Sequence, residues 1–275
     1  MKKSLMLSAF LVLSILCSFG QEIPKYSIFN PVPSAMLRDM ETDRPDVTES
    51  ARTIDAGHFQ YESDLFRLER QHGEEGIKES YFFNQANLKF GLLKSTALQF
   101  IVQSYQVDRE VSEDGEKHLK HGFGDITLRI KQNMLGNDKG DFAIALLPYL
   151  KFPTSAADKE SRYEGGLIIP MNLKLKHGWT IGMQLEADRL QDEQGIAHHT
   201  EFLQTLTLSH ALARHLDAIG ETYYTYDLKE KQWNNYLNAA LQFELAKDVK
   251  IDGGLNYGLQ EEAKKSYFLG VSFRL

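Results

Sequence analysis

The chain has 275 residues, of which 42% are hydrophobic and 25% charged, and its formal net charge is −7. This length allows one large domain or two modest ones, and the composition excludes a disordered chain and a helical membrane bundle. The negative charge argues against a nucleic acid as the main partner, because binding to phosphates needs a basic surface. With 16 Phe, 12 Tyr and only 7 Pro, the composition favours β-strands.

Residues 1–20 have the pattern of a secretory signal peptide. Two lysines precede an apolar run from Leu5 to Cys17, which is too short to span a bilayer as a helix. Small residues precede Gln21, where we expect cleavage. Lipidation of Cys17 is the alternative, and the bulky Leu16 disfavours it. Since Cys17 is the only cysteine, the mature chain has no disulfide and no thiolate metal site.

Residues 21–56 differ from the rest of the chain in composition. They hold four of the seven prolines, and Glu41–Ser50 is polar with no period of 2 or 3.6, so we predict irregular structure. One interpretation is a flexible leader. The other is a plug-like segment whose charges pair with charges of a surrounding wall, such as Arg129 and Lys131. The residues of this segment expected to form such pairs are Asp43, Arg44, Asp46 and Glu49.

From Gly57 onward apolar and polar residues alternate, which is typical of strands with one apolar and one polar face. The pattern is clearest in residues 126–130, 179–187 and 267–275. We predict about twelve strands with the length of tilted membrane-spanning strands. The predicted spans are 57–69, 79–91, 96–108, 122–134, 141–153, 164–175, 179–190, 198–210, 215–226, 232–244, 249–259 and 266–275.

The predicted connectors alternate between long, charged segments and tight turns. The long connectors are 70–78, 109–121, 154–163, 191–197, 227–231 and 260–265. The tight ones lie around 92–95, 136–140, 176–178, 211–214 and 245–248. This asymmetry is typical of outer-membrane barrels, which have long loops outside the cell and short periplasmic turns, and it is unusual in soluble sandwiches.

Alternation alone does not distinguish a soluble periplasmic barrel, with its apolar face inside, from a membrane barrel, with that face toward lipid. Many charges on the polar face favour the membrane barrel. The candidates for a lumen or solute pathway are Asp125, Arg129, Lys131, Glu186, Asp188, Glu201, Glu221 and Asp252. A plain structural lining is the alternative role for these residues. The aromatic residues near strand ends, which suit a membrane interface, are Phe59, Tyr61, Phe90, Trp179, Tyr226, Trp233, Tyr257, Tyr267 and Phe273.

The expected fold is therefore all-β: an antiparallel transmembrane β-barrel of about twelve strands with a plug-like or periplasmic N-terminal segment. We expect a signal peptide over 1–20, an irregular segment over 21–56 and the barrel over 57–275. The alternating final strand resembles the C-terminal signal for outer-membrane barrel insertion, although the last residue is Leu275 rather than an aromatic residue.

Several stretches resemble a known family. The first is Glu41–Ser50 with the following Asp55–Gln60, and the others are Gly122–Arg129, Leu146–Pro153 and Glu164–Pro170 with Gly178–Trp179. Together they are similar to bacterial outer-membrane proteins described as transporters of the meta-pathway of phenol degradation. The resemblance covers nearly all of the mature chain and implies an outer-membrane barrel with a transporter-like role. A looser likeness is to barrels that move long-chain fatty acids and aromatic hydrocarbons and carry an N-terminal plug.

The sequence offers little for catalysis or metal binding. It contains no phosphate-binding glycine loop, no Walker sequence and no nucleophile elbow. Ser209 and His210 are adjacent and therefore point to opposite faces of a strand, which makes a poor catalytic pair. The histidine candidates for a metal are His118 with His121, and His198 and His199 with Glu201. A metal site needs three or four converging ligands, so solvated loop or rim histidines are the simpler interpretation.

We therefore expect a monomeric barrel in the cell outer membrane that passes small hydrophobic or aromatic solutes by passive or facilitated diffusion. The alternative is a structural or surface-interaction barrel with an occluded lumen, and a barrel hydrolase is a third. We expect no enzymatic activity, no cofactor, no metal and no nucleic-acid partner. The expected partners are outer-membrane lipid, the barrel-insertion machinery and a small hydrophobic solute.

Overall fold

The computed structural model describes residues 25–73, 76–112, 114–192 and 197–275, and the predicted signal peptide lies outside them. The strands are β1 (Phe59–Gly73), β2 (Gly76–Leu93), β3 (Thr96–Ser112), β4 (Lys117–Gly122), β5 (Ile126–Leu135), β6 (Phe142–Phe152), β7 (Glu164–Lys174), β8 (Trp179–Gln191), β9 (His198–Ala213), β10 (Leu216–Asp227), β11 (Gln232–Ala246), β12 (Val249–Gly258) and β13 (Lys265–Arg274). Single 3-10 turns at Ser34–Met36 and Lys176–Gly178 are the helical segments of the described chain. Within it, no helix has the length and apolar character needed to cross a membrane.

The strands form one closed antiparallel sheet. Apart from β4 and β5, each strand pairs with the strands before and after it in the chain, and β1 pairs with β13 to close the barrel. Strands β4 and β5 are two halves of one interrupted strand, because β3 pairs with β5 through residues 96–102 and with β4 through residues 106–111. The barrel therefore has twelve strand positions, as the sequence predicts. The predicted strand 122–134 corresponds to β5, and β4 lies within the predicted connector 109–121 except for its last residue.

Two of the predicted long connectors, 70–78 and 109–121, are wrong. Most of their residues continue the strands into the hairpins β1–β2 and β3–β4. Arg70 and Glu79 face each other across the first hairpin, with Nη2 and Oε1 2.5 Å apart. Such cross-strand charge pairs stabilise a hydrated hairpin. A charged sequence is therefore compatible with a strand here, although its composition resembles that of a loop.

The interior of the barrel is polar and its outer surface is apolar. The most deeply buried wall residues, at most 1% exposed, include Gln60, Glu62, Gln99, Lys131 and Gln184. Outward-facing leucines are 45–50% exposed, among them Leu206, Leu208, Leu237 and Leu241. The apolar face of each strand therefore points away from the lumen, which is the opposite of the arrangement in a soluble barrel.

The wall changes its alternation at one level across neighbouring strands. Leu65 in β1, Asn84 in β2 and Ser104 in β3 lie side by side outside the regular pairing, and Asn84 has a positive φ of 56°. The side chain of Asn84 accepts a hydrogen bond from Ser63 Oγ (2.9 Å) and donates one to Ser104 Oγ (3.3 Å). The interruption between β4 and β5 lies at the same level. We call this level the discontinuity.

Candidate functional site

Residues 41–56, which we call the inner segment, lie against the polar inner face of the wall. Their backbone makes no strand ladder, and wall side chains accept its hydrogen bonds instead. The N–H groups of Val47 and Thr48 donate to the Glu221 carboxylate, at 2.9 and 2.8 Å. The N–H of Glu49 donates to Gln184 Oε1 at 2.9 Å. These wall groups satisfy a buried irregular backbone that water would otherwise have to satisfy.

Two wall strands hold the acidic side chains of the inner segment through three buried cations. Lys131 Nζ of β5 lies 2.6 Å from Asp43 Oδ1 and 3.3 Å from Glu49 Oε2. Lys89 of β2 pairs with Asp43, and Arg129 of β5 pairs with Glu49. Only 1% of the Lys131 side chain is exposed, so this cluster has little access to water. A charge at this depth is stable only with such partners.

Arg44 connects the inner segment to the wall on both sides of the closure between β1 and β13. Its guanidinium pairs with Asp64 of β1 and lies 2.6 Å from Asp252 Oδ1 of β12. Between these strands, Gly270 of β13 leaves the space that Arg44 fills, because a Cβ at this position would overlap the guanidinium. The ring of Phe268 lies 5.8 Å from the same group.

Hydroxyl groups complete the contact with β9 and β10. Thr48 Oγ1 lies 2.6 Å from Oγ1 of both Thr205 and Thr207, and it donates to Glu221 Oε1 at 2.6 Å. Asp46 lies next to Glu221 and Thr207 and makes no ion pair with a described cation. Of the four charged residues predicted to meet the wall, Asp43, Arg44 and Glu49 form ion pairs with it.

Charged residues at both ends of the inner segment form ion pairs near the short-turn end of the barrel. Asp55 pairs with Arg274 of the last strand, at 3.4 Å, and with Arg38, at 2.8 Å. Glu41 pairs with Arg52 at 2.8 Å and with Lys174 of β7 at 3.0 Å. The segment is therefore anchored along its whole length.

Three of the remaining lumen candidates lie nearer to the long-loop end of the barrel than the inner segment does. Glu186 and Asp188 follow one another on the inner face of β8, and Asp188 accepts a hydrogen bond from the Tyr149 hydroxyl at 2.6 Å. Glu201 is directly opposite Asp188 on β9. The lumen predictions thus fall into two groups: Arg129, Lys131, Glu221 and Asp252 contact the inner segment, and Glu186, Asp188 and Glu201 do not.

Asp125 has a different place from the one expected for a lining residue. It is the last residue of the interruption in the fourth strand position, and its carboxylate holds the loop after β6. Its Oδ1 accepts hydrogen bonds from the N–H groups of Thr154 and Ser155, both at 2.9 Å, and its Oδ2 accepts one from Ser161 Oγ at 2.5 Å. The loop therefore lies against the discontinuity.

The predicted interface aromatics all lie on the outer surface. Trp179, Trp233, Tyr257 and Tyr267 are 38–53% exposed. The others make ring contacts there: Phe59 with Phe90 (5.0 Å), Tyr61 with Phe273 (5.0 Å) and Tyr226 with Trp233 (4.3 Å). A second row, which the sequence reasoning missed, runs across β1 to β4 just beyond the discontinuity. It consists of Phe66, Phe83, Tyr105 and His121.

The histidine candidates do not converge. His118 and His121 lie on exposed β4, and His198 Nε2 lies 2.9 Å from the Tyr163 carbonyl oxygen. His199 Nδ1 lies 2.9 Å from Asp192 Oδ1. Among the described residues there is no group of three or more potential ligands. The ring of His210 stacks on Trp179 at 4.1 Å.

A family model described as "Putative MetA-pathway of phenol degradation" matches residues 42–275. The chain belongs to this family. The match begins within the inner segment and includes the whole barrel. The search of curated proteins finds no match.

Solved structures agree on the fold. The NanC porin superposes with a TM-score of 0.51 at 11% identity, over 78% of this chain and 100% of that chain. The β-domain of the Bordetella autotransporter BrkA gives a TM-score of 0.50 at 11% identity, over 79% and 99%. The chain thus has the fold of an outer-membrane porin-like β-barrel.

The sequence reasoning missed several wall residues that hold the inner segment. Glu62, Asp64 and Lys89 were not among its candidates, although each contacts Asp43 or Arg44. A pattern in the sequence could have identified two of them. Glu62 and Asp64 occupy alternate positions of the first predicted strand with Gln60, which places all three on its polar face.

Proposed function

We propose that this protein is an outer-membrane channel for small hydrophobic or aromatic solutes, and that the inner segment is a plug that closes it at rest. The observation that carries the proposal is the network of buried contacts between the inner segment and the wall. Ion pairs join the segment to β1, β2, β5 and β12, and Glu221 binds its backbone from β10. A solute crosses the lumen only when this segment moves.

The outer-membrane location is supported by the reversed polarity of the barrel. A closed sheet satisfies all of its backbone hydrogen bonds without water, which lipid requires. Leucines cover the outside, and charged side chains such as Lys131 are confined to the inside. The aromatic residues at the two levels of the outer surface suit the two membrane–water interfaces.

The solute class is supported by the family description and by rings inside the lumen. The family is described by the degradation of phenol, an aromatic compound. On the inner face, the rings of Tyr223 and Tyr236 stack at 4.5 Å, and the Arg67 guanidinium lies 5.0 Å from the Phe268 ring. Aromatic faces of this kind can stack with an aromatic solute that enters from the long-loop end.

In this proposal, the last strand carries the signal for insertion of the barrel into the outer membrane. Strand β13 points Tyr267, Leu269, Val271 and Phe273 outward, in the alternating pattern expected of an insertion signal. The barrel-insertion machinery is the corresponding partner.

The alternative is a structural or surface-interaction barrel whose lumen stays occluded, and the same buried network favours it. Single-channel conductance in planar bilayers and liposome swelling in small neutral solutes separate the two. The test compares the full chain with a variant that carries Asp43→Asn, Arg44→Ala and Glu49→Gln. The control is Lys78→Gln, which breaks an exposed ion pair with Glu110 (3.5 Å).

For a plugged channel we expect brief, small openings of the full chain and of the control, and at least fivefold larger conductance of the triple variant. Faster swelling in phenol than in a sugar of similar size is the expected solute preference. A triple variant that still resists detergent until heated, but conducts no ions and admits no solute, would contradict the channel. Equal, large conductance of all three proteins would contradict the plug.

A further inference from the structure

A tight turn near the start of the described chain has two apolar residues at its tip. Ser27 and Asn30 exchange two backbone hydrogen bonds, of 2.9 and 3.0 Å, and Ile28 and Phe29 lie between them. Phe29 is 95% exposed and Ile28 is 45% exposed. The central positions of turns are usually taken by Gly, Pro, Asn or Asp, which water solvates well. An isoleucine and a phenylalanine at this position indicate an apolar environment.

The turn is fixed to the end of the barrel wall. The Ile28 N–H donates to the Leu92 carbonyl at 2.9 Å, and Ser27 forms a β-bridge with Leu93. Further along, the Val32 N–H donates to Ala56 O at 3.0 Å. The tip is therefore held at the short-turn end of β2.

A second contact holds the following residues in place. His58 Nε2 lies 2.7 Å from the Val32 carbonyl oxygen, and His58 Nδ1 lies 3.1 Å from the Leu275 carbonyl oxygen. Gly57, with a φ of +81°, leaves room for Pro31, because a Cβ there would meet the proline ring. The chain thus runs close beneath the wall, where β1 begins and β13 ends.

The turn adjoins the apolar outer surface of the barrel. Two residues before Leu92, the ring of Phe90 contacts Phe59 at 5.0 Å and Phe100 at 6.2 Å. Leu275, just after β13 and two strands away from β2 in the sheet, is 74% exposed. The exposed tip therefore continues the apolar outer surface at its short-turn edge.

The residues beside the tip suit a lipid headgroup region. Lys25 Nζ lies 5.2 Å from the centre of the Tyr26 ring. A cation, an amphipathic aromatic residue and a deeper apolar pair are the set that membrane interfaces favour. A protein partner would need a larger surface. A stable protein–protein interface buries about 800 Å² on each partner, which is far more than two side chains at a turn offer.

We propose that the turn formed by residues 27–30 inserts Ile28 and Phe29 into the membrane leaflet on the short-turn side of the barrel. Lys25 then lies at the level of the phospholipid phosphates. The inference rests on the membrane location given under the proposed function, and it does not depend on solute transport.

The test measures tryptophan fluorescence of the full chain in phosphatidylcholine vesicles, with and without lipids brominated close to the headgroup on their acyl chains. The reporter is Phe29→Trp in a background of Trp179→Phe and Trp233→Phe. A first control, Leu228→Trp in the same background, places the reporter in a connector at the opposite end, where Leu228 is 46% exposed. A second control retains only Trp179, on the outer surface at the short-turn end.

We expect blue-shifted emission and at least twofold quenching by brominated lipid for the tryptophans at positions 29 and 179, and little quenching at position 228. Quenching at 179 without quenching at 29 would overturn the inserted turn and leave the membrane barrel intact. Blue-shifted but unquenched emission at 29 would indicate a protein contact and would also overturn it. Loss of quenching at both positions would reject the membrane location as well. A heat-dependent gel shift verifies folding of each variant.

Discussion

The guanidinium of Arg44 lies 2.6 Å from Asp252 Oδ1, although 208 positions separate the two residues in the chain. The same guanidinium pairs with Asp64. One side chain from outside the sheet thus spans β1, β13 and β12, the strands at which the barrel closes. The buried guanidinium of Arg44 therefore links the inner segment to the closure of the barrel.

Replacing Arg44 by alanine is expected to destabilise the barrel by about 3–5 kcal/mol, because it leaves a buried carboxylate without its cation. The carboxylate concerned is Asp252, whose side chain is fully buried. Urea titration of the folded protein in vesicles measures the loss. Adding Asp252→Asn to this variant removes the uncompensated charge and should recover part of the stability. Equal stability of the single and double variants would show that the unpaired Asp252 carboxylate does not destabilise the barrel.

Arginine at Leu206, on the outward face in the middle of β9, is expected to cost about 2–4 kcal/mol in lipid, the cost of a cation at the bilayer midplane. The matched control is Leu228→Arg in the connector after β10, because the exposures of the two leucines are similar, 48% and 46%. The control should be close to neutral. If both substitutions were neutral in vesicles, the outer surface would not face lipid at this level.

Asp125→Ala is expected to release the loop after β6. This side chain accepts the N–H groups of Thr154 and Ser155 and the hydroxyl of Ser161. Limited proteolysis of the protein in vesicles should then cleave residues 153–163 at least tenfold faster than in the unchanged protein. Asp158→Ala, in the same loop but exposed, is the control. Cleavage at the unchanged rate would mean that other contacts hold the loop.

Hydrogen bonds from Lys229 and His199 lower the pKa of Asp192, which lies just after β8. A lowered folded-state pKa means that this contact contributes above the unfolded value, about 3.9, and is lost as the pH falls through the folded value. The two connectors should therefore remain joined at mildly acidic pH. Carbon-13 NMR titration of the Asp192 carboxyl measures this. Lys229→Ala should raise the pKa, and an unchanged titration would contradict the pairing.

The barrel itself could be predicted from the sequence because strand alternation is a local pattern. Residues 179–187 and 267–275 alternate strictly, and β8 and β13 follow that pattern. Residues 70–78 have the sequence pattern of a loop, because charged residues on both faces hide the alternation. Only the pairing across the hairpin shows that such a stretch forms strands.

The contacts of the inner segment could be predicted only in part. The expectation that its charges meet Arg129 and Lys131 agrees with the geometry of Glu49 and Asp43. The sequence predicts that Arg44 meets a wall charge, but it does not identify Asp64 and Asp252 as the partners, since these depend on which strands become neighbours when the sheet closes. Sequence shows which faces are charged, and closure of the sheet determines which of these charges meet.

The discontinuity restricts how the length of this chain can change. On β1, Asp64 and Arg67 both point inward and form an ion pair, at a spacing of three residues where regular alternation gives two. On β2, Gln85 is paired with the inward-facing Asp64 and Phe83 with the outward-facing Phe66, with Asn84 as an extra residue between them. Loss of Asn84 would therefore restore regular alternation and leave Phe83 outward, whereas loss of one residue elsewhere in β2 would turn half of the strand over. The discontinuity is thus the level at which this strand can lose a residue without exchanging its inner and outer faces.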